Sequence, residues 1–455
     1  MNARQILDVL EARQLFNTAF DLIGLTDLRN DPDFAGIDGS GVTVAVLDTG
    51  LDRTHIKLMA NYRGGTNIAD GGDNPVDRED HGTHVSGIVA AADPEIGVAP
   101  AAGLVGVKVL GDNGSGTFTD IRNGLRWVYD HRIEFNIQVV NMSLGGGFYS
   151  SISQVSGDII LPEIRRLEGA GITVVSAGGN SYKETERQNF GAPGIYSTLA
   201  VGAVWKDGSA MNVSWGDGAF DRTTGAGRIT SFSQRLVAPN TIFAPGAFMR
   251  STIPGNRYEN MGGTSQASPV VAGSVALLQE VAKQFGGRSL SPAEVRDIIV
   301  ATAVPIFDGD DEDDNVVNTR VDYQRLDIYA AAKEVKRRLQ GAAPAPTPGQ
   351  TVLDTNGNIA GAFLLNPTLD GSEPLTAAGR IGSDFGTSLV GATDVDVFKF
   401  STASNGKVTI RVSTNTTTPE DFDTYLRLFN AAGVQVAFDD NSGGSVFSQL
   451  SLPLD

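Results

Sequence analysis

The chain has 455 residues, 41% of them hydrophobic, and its 53 acidic and 35 basic side chains leave a formal charge of −18. That length is comfortable for two domains; the lack of Lys/Arg clusters excludes nucleic acid as a partner, and no run reaches the roughly 18 apolar residues of a membrane span. Cysteine is absent, which removes disulfides, thiolate zinc sites and cysteine nucleophiles together.

The opening stretch MNARQILDVLEARQLFNTAF is amphipathic and carries Glu11 and Arg13 within it. It lacks the basic cap and apolar block of a secretory signal, so residues 1–26 read as an N-terminal helical segment. From Val42 to about Leu339, short β-branched runs alternate with longer helical ones. Strands are expected at Val42–Leu47, Leu104–Val109, Val139–Met142, Thr173–Ala177, Leu199–Val204 and Ile242–Ala244. Helices are expected near Thr83–Ala92, Thr119–Phe135, Ile152–Leu167 and Ser268–Phe285. Ser291-Pro292-Ala293-Glu294 is a capping box with proline in the first turn and opens another helix. Strands separated by such helices imply parallel crossovers. Residues 27–340 are therefore expected to form an α/β domain, a mostly parallel sheet covered by helices on both faces.

Gly341–Gln350 (GAAPAPTPGQ) reads as a Pro/Ala linker. Beyond it, Asp394–Phe400 and Asp423–Phe429 alternate polar and apolar residues, and Asn405-Gly406 and Asn441-Ser442-Gly443 mark turns. Residues 351–455 are expected to form a small all-β sandwich module. Another alternating run, Val446–Leu452, begins just before the end. A strand at a cut end should lack a partner, so the chain reads as a fragment.

Three segments carry chemistry. Asp48, in Asp48-Thr49-Gly50, follows an apolar strand at the carboxyl end, where open α/β sheets place functional groups. Alone it could be an ordinary turn acid. His81-Gly82-Thr83-His84 holds two of the four histidines at a helix start. A metal pair is one conceivable use, but zinc hydrolases use patterns such as H-E-x-x-H, which is missing here. A helix N-terminus lowers histidine basicity and a nearby carboxylate raises it, a balance suited to a general base. Gly262-Gly263-Thr264-Ser265-Gln266-Ala267-Ser268-Pro269 precedes an apolar helix. Serine at a helix start is ordinarily a cap, yet here two glycines allow close backbone approach, and the buried helix aims its positive end at a cleft.

In order, D-T-G, H-G-T-H-V-x-G and G-T-S-x-A-x-P from about Asp27 to Leu339 resemble the subtilisin-like serine peptidases, whose Asp-His-Ser order is one of three convergent triad arrangements. The resemblance implies a serine endopeptidase in which Asp48 orients, His81 is the base and Ser265 the nucleophile. His84 becomes structural. By the same resemblance Asn180 is the oxyanion donor; a donor of this kind in subtilisin itself is worth about 10²–10³ in turnover. Substrate would bind along Gly114, Ser115 and Gly116 and along Ser143, Leu144 and Gly145, with Gly191 at the pocket floor leaving room for a large apolar P1 side chain. A catalytically silent relative and a metallohydrolase built on His81 and His84 are the competing readings.

The chain departs from the family in having Gln266 where methionine is usual. Lys57 replaces an acid of the family's strongest calcium site, and Ala92–Ile96 is short for its ligand loop, so that calcium is not expected. No cofactor is required for the chemistry, and the metal ligands stay unknown, although a structural calcium elsewhere remains open. Phe307–Asn315 is a dense acidic loop without EF-hand spacing, which reads as a solvated charge run. The stretch Ala377–Asp455, with Asp423, Asp439, Asp440 and Asn441, resembles the bacterial pre-peptidase C-terminal domain. The family's N-terminal prodomain is not recognisable. Protein and peptide substrates, a monomeric state and an exported or extracellular location complete the expectations.

Overall fold

The computed structural model describes residues 18–155, 158–309 and 313–340, together with the backbone of six strands between Phe363 and Leu454. The chain divides into two units, Met1–Gly341 and Ala342–Asp455.

The first unit is built on a nine-stranded sheet. In chain order its strands are β1 (Thr43–Asp48), β2 (Tyr62–Asn67), β3 (Gly103–Lys108), β4 (Ile137–Met142), β5 (Thr173–Ala177), β6 (Leu199–Val204), β7 (Thr241–Pro245), β8 (Val304–Phe307) and β9 (Asp322–Arg325). Across the sheet they run β8-β9-β7-β6-β5-β4-β1-β3-β2. All pairings are parallel except that of β8 with β9 at one edge. The crossovers carry α1 (His81–Ala90), α2 (Phe118–His131), α3 (Leu161–Gly169) and α4 (Thr264–Gly286), and α5 (Pro292–Thr302) and α6 (Ile328–Leu339) follow.

Successive residues of a strand point to opposite faces, and both faces are covered. Val44 and Val46 of β1 join a core with Val85 and Ile88 of α1 and Val270 and Val271 of α4. Ala45 and Leu47 face Ile121 and Leu125 of α2 and Ile164 and Leu167 of α3. Double coverage explains why these strands read as unbroken apolar runs, and it places the expected α/β architecture on the page.

The helix expected over Ile152–Leu167 is instead a 3₁₀ turn, Ile152–Val155, followed by α3. Pro162 belongs in the first turn of a helix, not its interior, and α3 starts at Leu161 to place it there. Helix α4 begins at Thr264 rather than Ser268, so it includes Ser265 and encloses Pro269. The apolar run Leu104–Val109 contains Lys108, which is fully buried. Its Nζ donates to Thr49 O at 2.6 Å and pairs with Asp112 at 3.0 Å. Edge strand β2, with Gly64 and Gly65, carries no apolar signal, and neither do the hairpins Met211–Ser214/Phe220–Thr223 and Met249–Ile253/Arg257–Met261. Arg235 and Asp308 form a charge pair buried on both sides at 2.8 Å, with the Tyr182 ring 3.9 Å from the guanidinium.

In the second unit Phe363–Leu365 pairs in parallel with Phe398–Phe400, while Gly406–Arg411 and Tyr425–Phe429 pair antiparallel with Gln449–Leu454 and Gln435–Asp440. The terminal run expected to lack a partner has one in Gly406–Arg411, because an upstream extended segment supplies the ladder groups. Asp439 and Asp440 end a strand. Residues 1–17, the Gly341–Gln350 linker, Asp423 and Asn441 lie outside the described residues.

Candidate active site

The carboxyl ends of β1, β3, β4 and β5 converge on one edge of the sheet. Asp48 ends β1 and is fully buried, its Oδ1 accepting from Thr49 N at 2.7 Å and from His81 Nδ1 at 2.8 Å. His81 is the first residue of α1, and its ring keeps 24% of its surface exposed. Backbone contact fixes this spacing. Gly82 N donates to Thr49 Oγ1 at 2.8 Å, and a Cβ on Gly82 would sit 2.2 Å from Gly50 O. Only glycine allows that approach.

Ser265 is the second residue of α4 and is half-buried. Its hydroxyl donates to Ser143 O at 3.1 Å, and Ser143 Oγ donates back to Ser265 O at 2.7 Å. Met142 of β4 stands level with Leu47 of β1, so Ser143 lies level with Asp48, one interstrand spacing of about 4.8 Å away. Imidazole and hydroxyl, carried by α1 and α4, are therefore hydrogen-bonded to residues at the ends of two adjacent strands. In the resting geometry the Ser265 hydroxyl is held by Ser143 rather than by His81.

Asn180 follows β5 and is exposed. Its Oδ1 accepts from Thr264 N and Thr264 Oγ1, both at 2.8 Å. That leaves Nδ2, which lies 3.1 Å from where a Cβ on Gly263 would stand, as the free donor beside the nucleophile turn. Leu144 and Gly145 continue from Ser143. Gly146 pairs with Ala192, and Gly191 is buried, with a Cβ there falling 3.3 Å from the Gly146 backbone and its N–H donating to Gly178 O at 2.7 Å. These residues form one wall. Gly114, Ser115 and Gly116 form an exposed turn after β3, closed by Gly111 N donating to Ser115 O at 2.8 Å.

Sequence reasoning passed over Asp77. This buried carboxylate accepts from Thr49 Oγ1, Glu79 N and Asp80 N on Oδ1, and from Thr83 N and Thr83 Oγ1 on Oδ2, at 2.6–3.1 Å. Asp80, at the cap position of α1, has φ 86 and makes no side-chain cap. Asp77 does that work from three residues upstream and ties the helix to the D-T-G turn. The signal was present as an acid four residues before His81, but turn acids are too common to single it out.

Burial, the largest influence on His81, pushes its pKa down. The charge and hydrogen bond of Asp48, with the Glu79 and Asp77 carboxylates, outweigh it and raise the value to about 9. His84 goes the other way. Burial and then the neighbouring His81 hold it down at about 4, against backbone bonds to Glu259 O and Met249 O that raise it. Its Nε2 donates to both carbonyls at 3.1 Å, tethering α1 to the Met249–Met261 hairpin as a neutral ring.

Lys57 Nζ lies 2.9 Å from Asp93 Oδ2. Of the two acids in that short turn, Asp93 is already matched by an ammonium, which leaves Glu95 alone and too few oxygen ligands to fit a calcium ion. Among the described residues no group of three or more His, Asp or Glu is arranged to hold a metal.

A buried aspartate ends a central strand, a histidine opens α1 and a serine opens the buried helix α4, in the order Asp-His-Ser. Residues 39–334 match the profile of the subtilase family, Peptidase S8, and the chain belongs to that family. It is 36% identical over 273 residues to subtilisin E of Bacillus subtilis (strain 168), a match covering 59% of this chain and 62% of that protein. An intracellular serine protease of Paenibacillus polymyxa is 33% identical over 277 residues, covering 59% and 76%. The crystal structure of a cold adapted subtilisin-like serine proteinase aligns at a TM-score of 0.46 with 27% identity, covering 64% of this chain and 90% of the other.

Proposed function

We propose that the protein is a serine endopeptidase. Asp48 steadies the ring, Nε2 of His81 takes the proton, and Ser265 attacks the scissile carbonyl to give an acyl-enzyme that water resolves. Asn180 Nδ2 donates to the developing oxyanion. The observation that carries this reading is the 2.8 Å Asp48–His81 bond at the end of β1, with the Ser143–Ser265 contact just past the end of the neighbouring strand β4. A rotation about Ser265 χ1 releases the hydroxyl from Ser143 O toward His81. Active-site hydrogen bonds commonly tighten only when substrate is bound.

Substrate is read as peptide in an extended conformation, its backbone along Gly114–Gly116 and Ser143–Gly145. Aromatic, Leu or Met side chains are preferred at P1, with Gly191 contributing no side chain to the floor. The protein acts as a monomer, without an organic cofactor or a calcium at the Lys57 corner, and outside the cell. The second unit is read as a pre-peptidase C-terminal domain of sandwich form.

Fluorophosphonate treatment followed by mass spectrometry tests the core claim. One adduct on Ser265 is expected, together with loss of caseinolysis in Ser265→Ala. A Ser265→Ala variant that still digests casein, or inhibition by a chelator instead of the phosphonate, would overturn it. Strict Arg or Glu preference in a peptide library would overturn the P1 reading. Fractionation of the source culture tests export.

A further inference from the structure

Beneath Ser265 lies a short chain of polar side chains sealed from solvent. The Ser268 hydroxyl donates to Asn141 Oδ1 at 2.8 Å, Asn141 Nδ2 donates to Ser143 Oγ at 3.0 Å, and Ser143 Oγ donates to Ser265 O at 2.7 Å. Asn141 and Ser268 are fully buried and Ser143 is 3% exposed. Every donor in the chain is committed in one direction, so the network has a single consistent arrangement.

Its last link answers a defect in the helix. In a regular α-helix the carbonyl of residue 265 accepts from the N–H of residue 269. Residue 269 is proline, inside α4, and has no N–H to give. Without another donor the Ser265 carbonyl would be a buried acceptor left unpaired at the residue that carries the chemistry. The Ser143 hydroxyl fills that place. In return Ser143 O takes the Ser265 hydroxyl at 3.1 Å. Ser143 thus grips Ser265 at two points, main chain and side chain.

We propose that Ser143, oriented by Asn141, is a positioning residue for the nucleophile. Its hydroxyl replaces the helix bond forfeited at Pro269, and so fixes the direction in which the Ser265 side chain leaves the backbone. This role is separate from lining the P1 pocket, and it rests on the reading of Ser265 as nucleophile. No covalent bond to Ser143 forms or breaks in the reaction.

A double-mutant cycle tests it. Ser143→Ala strands the Ser265 carbonyl and an Asn141 N–H, and buried orphans of this kind shift an equilibrium by about 5- to 150-fold. Expected is a fall in kcat, and in the rate of fluorophosphonate labelling, of about 10- to 100-fold, with KM and the P1 order unchanged. Pro269→Ala returns an N–H at the fourth position. In that background the cost of Ser143→Ala should shrink at least about fivefold, a coupling within the range seen for contacting residues. Equal costs in the two backgrounds would overturn the proposal. So would a Ser143→Ala enzyme with normal kcat and a raised KM or altered P1 order, since the residue would then be pocket wall alone. Should Ser143→Ala fail to accumulate folded, Ser143→Thr, which keeps the hydroxyl, must retain kcat, and Asn141→Leu, which removes the orienting donor, must lose it. Either contrary result defeats the proposal. Absence of labelling at Ser265 in the unmodified protein is a different failure, that of the nucleophile reading itself.

Discussion

Replacing Asp77 by Asn keeps the volume and exchanges one acceptor oxygen for a donor NH₂. All five partners of Asp77 are donors, three on Oδ1 and two on Oδ2. Turned one way the amide loses the two Thr83 bonds, turned the other way the three on Oδ1, so at least two bonds are lost and a donor is left facing a donor. Two buried bonds at about 1–3 kcal/mol each amount to roughly 2–6 kcal/mol. At about 2–4 °C per kcal/mol for a domain of this class, Tm should fall by roughly 4–24 °C. The loss concentrates where α1 meets the D-T-G turn, so activity should fall with it. Removing one of the carboxylates that hold the His81 pKa up should also move the acid limb of kcat/KM to lower pH. Melting curves on phosphonate-blocked protein, which cannot digest itself, give the first quantity, and a small chromogenic peptide gives the second. A variant melting within about 1 °C of the parent, with an unmoved limb, would refute the claim that Asp77 organises this corner.

His81 must be neutral to accept a proton, so kcat/KM should drop as pH falls through its raised pKa of about 9. Glu79→Gln, which removes a carboxylate that raises that value, should shift the limb downward; a parent limb at or below the ordinary histidine value of about 6.5 contradicts the argument. Asn180→Ala should lower kcat by about 10²–10³ with little change in KM, as loss of a transition-state donor does; a change in KM alone would assign the side chain to substrate binding. Arg235→Met leaves the fully buried Asp308 without its cation, and should cost about 3–5 kcal/mol in urea unfolding of blocked protein. A loss under about 1 kcal/mol would mean that Asp308 finds other partners.

The strands that carry the site were legible because burial on both faces leaves mostly apolar residues along β1, β4 and β5. The three motifs were legible because each couples a reactive side chain to glycines that let backbones touch. What escaped has a common cause. Asp77, Lys108 and the Ser143 hydroxyl act on main-chain groups brought near by folding, and sequence spacing does not encode those meetings. Lys108 even sat inside a run read as apolar, its charge matched by Asp112 and a carbonyl of the D-T-G turn. The hairpin Met211–Ser214/Phe220–Thr223 escaped for a different reason. The first strand is largely exposed and the buried residue of the second is Asp221, so no apolar face imposes alternation. Pro269 was visible, but the unpaired carbonyl it creates becomes a feature only once the helix is seen to begin at Thr264.

The contact of Gly82 with Gly50 has a bearing on how this protein can be altered. Where two main chains meet without side chains between them, there is no rotamer to adjust and no group to trim or lengthen. The separation of carboxylate and imidazole is therefore not a tunable quantity at that point. Laboratory selection for new activity should leave those two positions untouched and gather its changes among the surface loops, where a shift of an ångström is absorbed rather than passed to the reacting atoms.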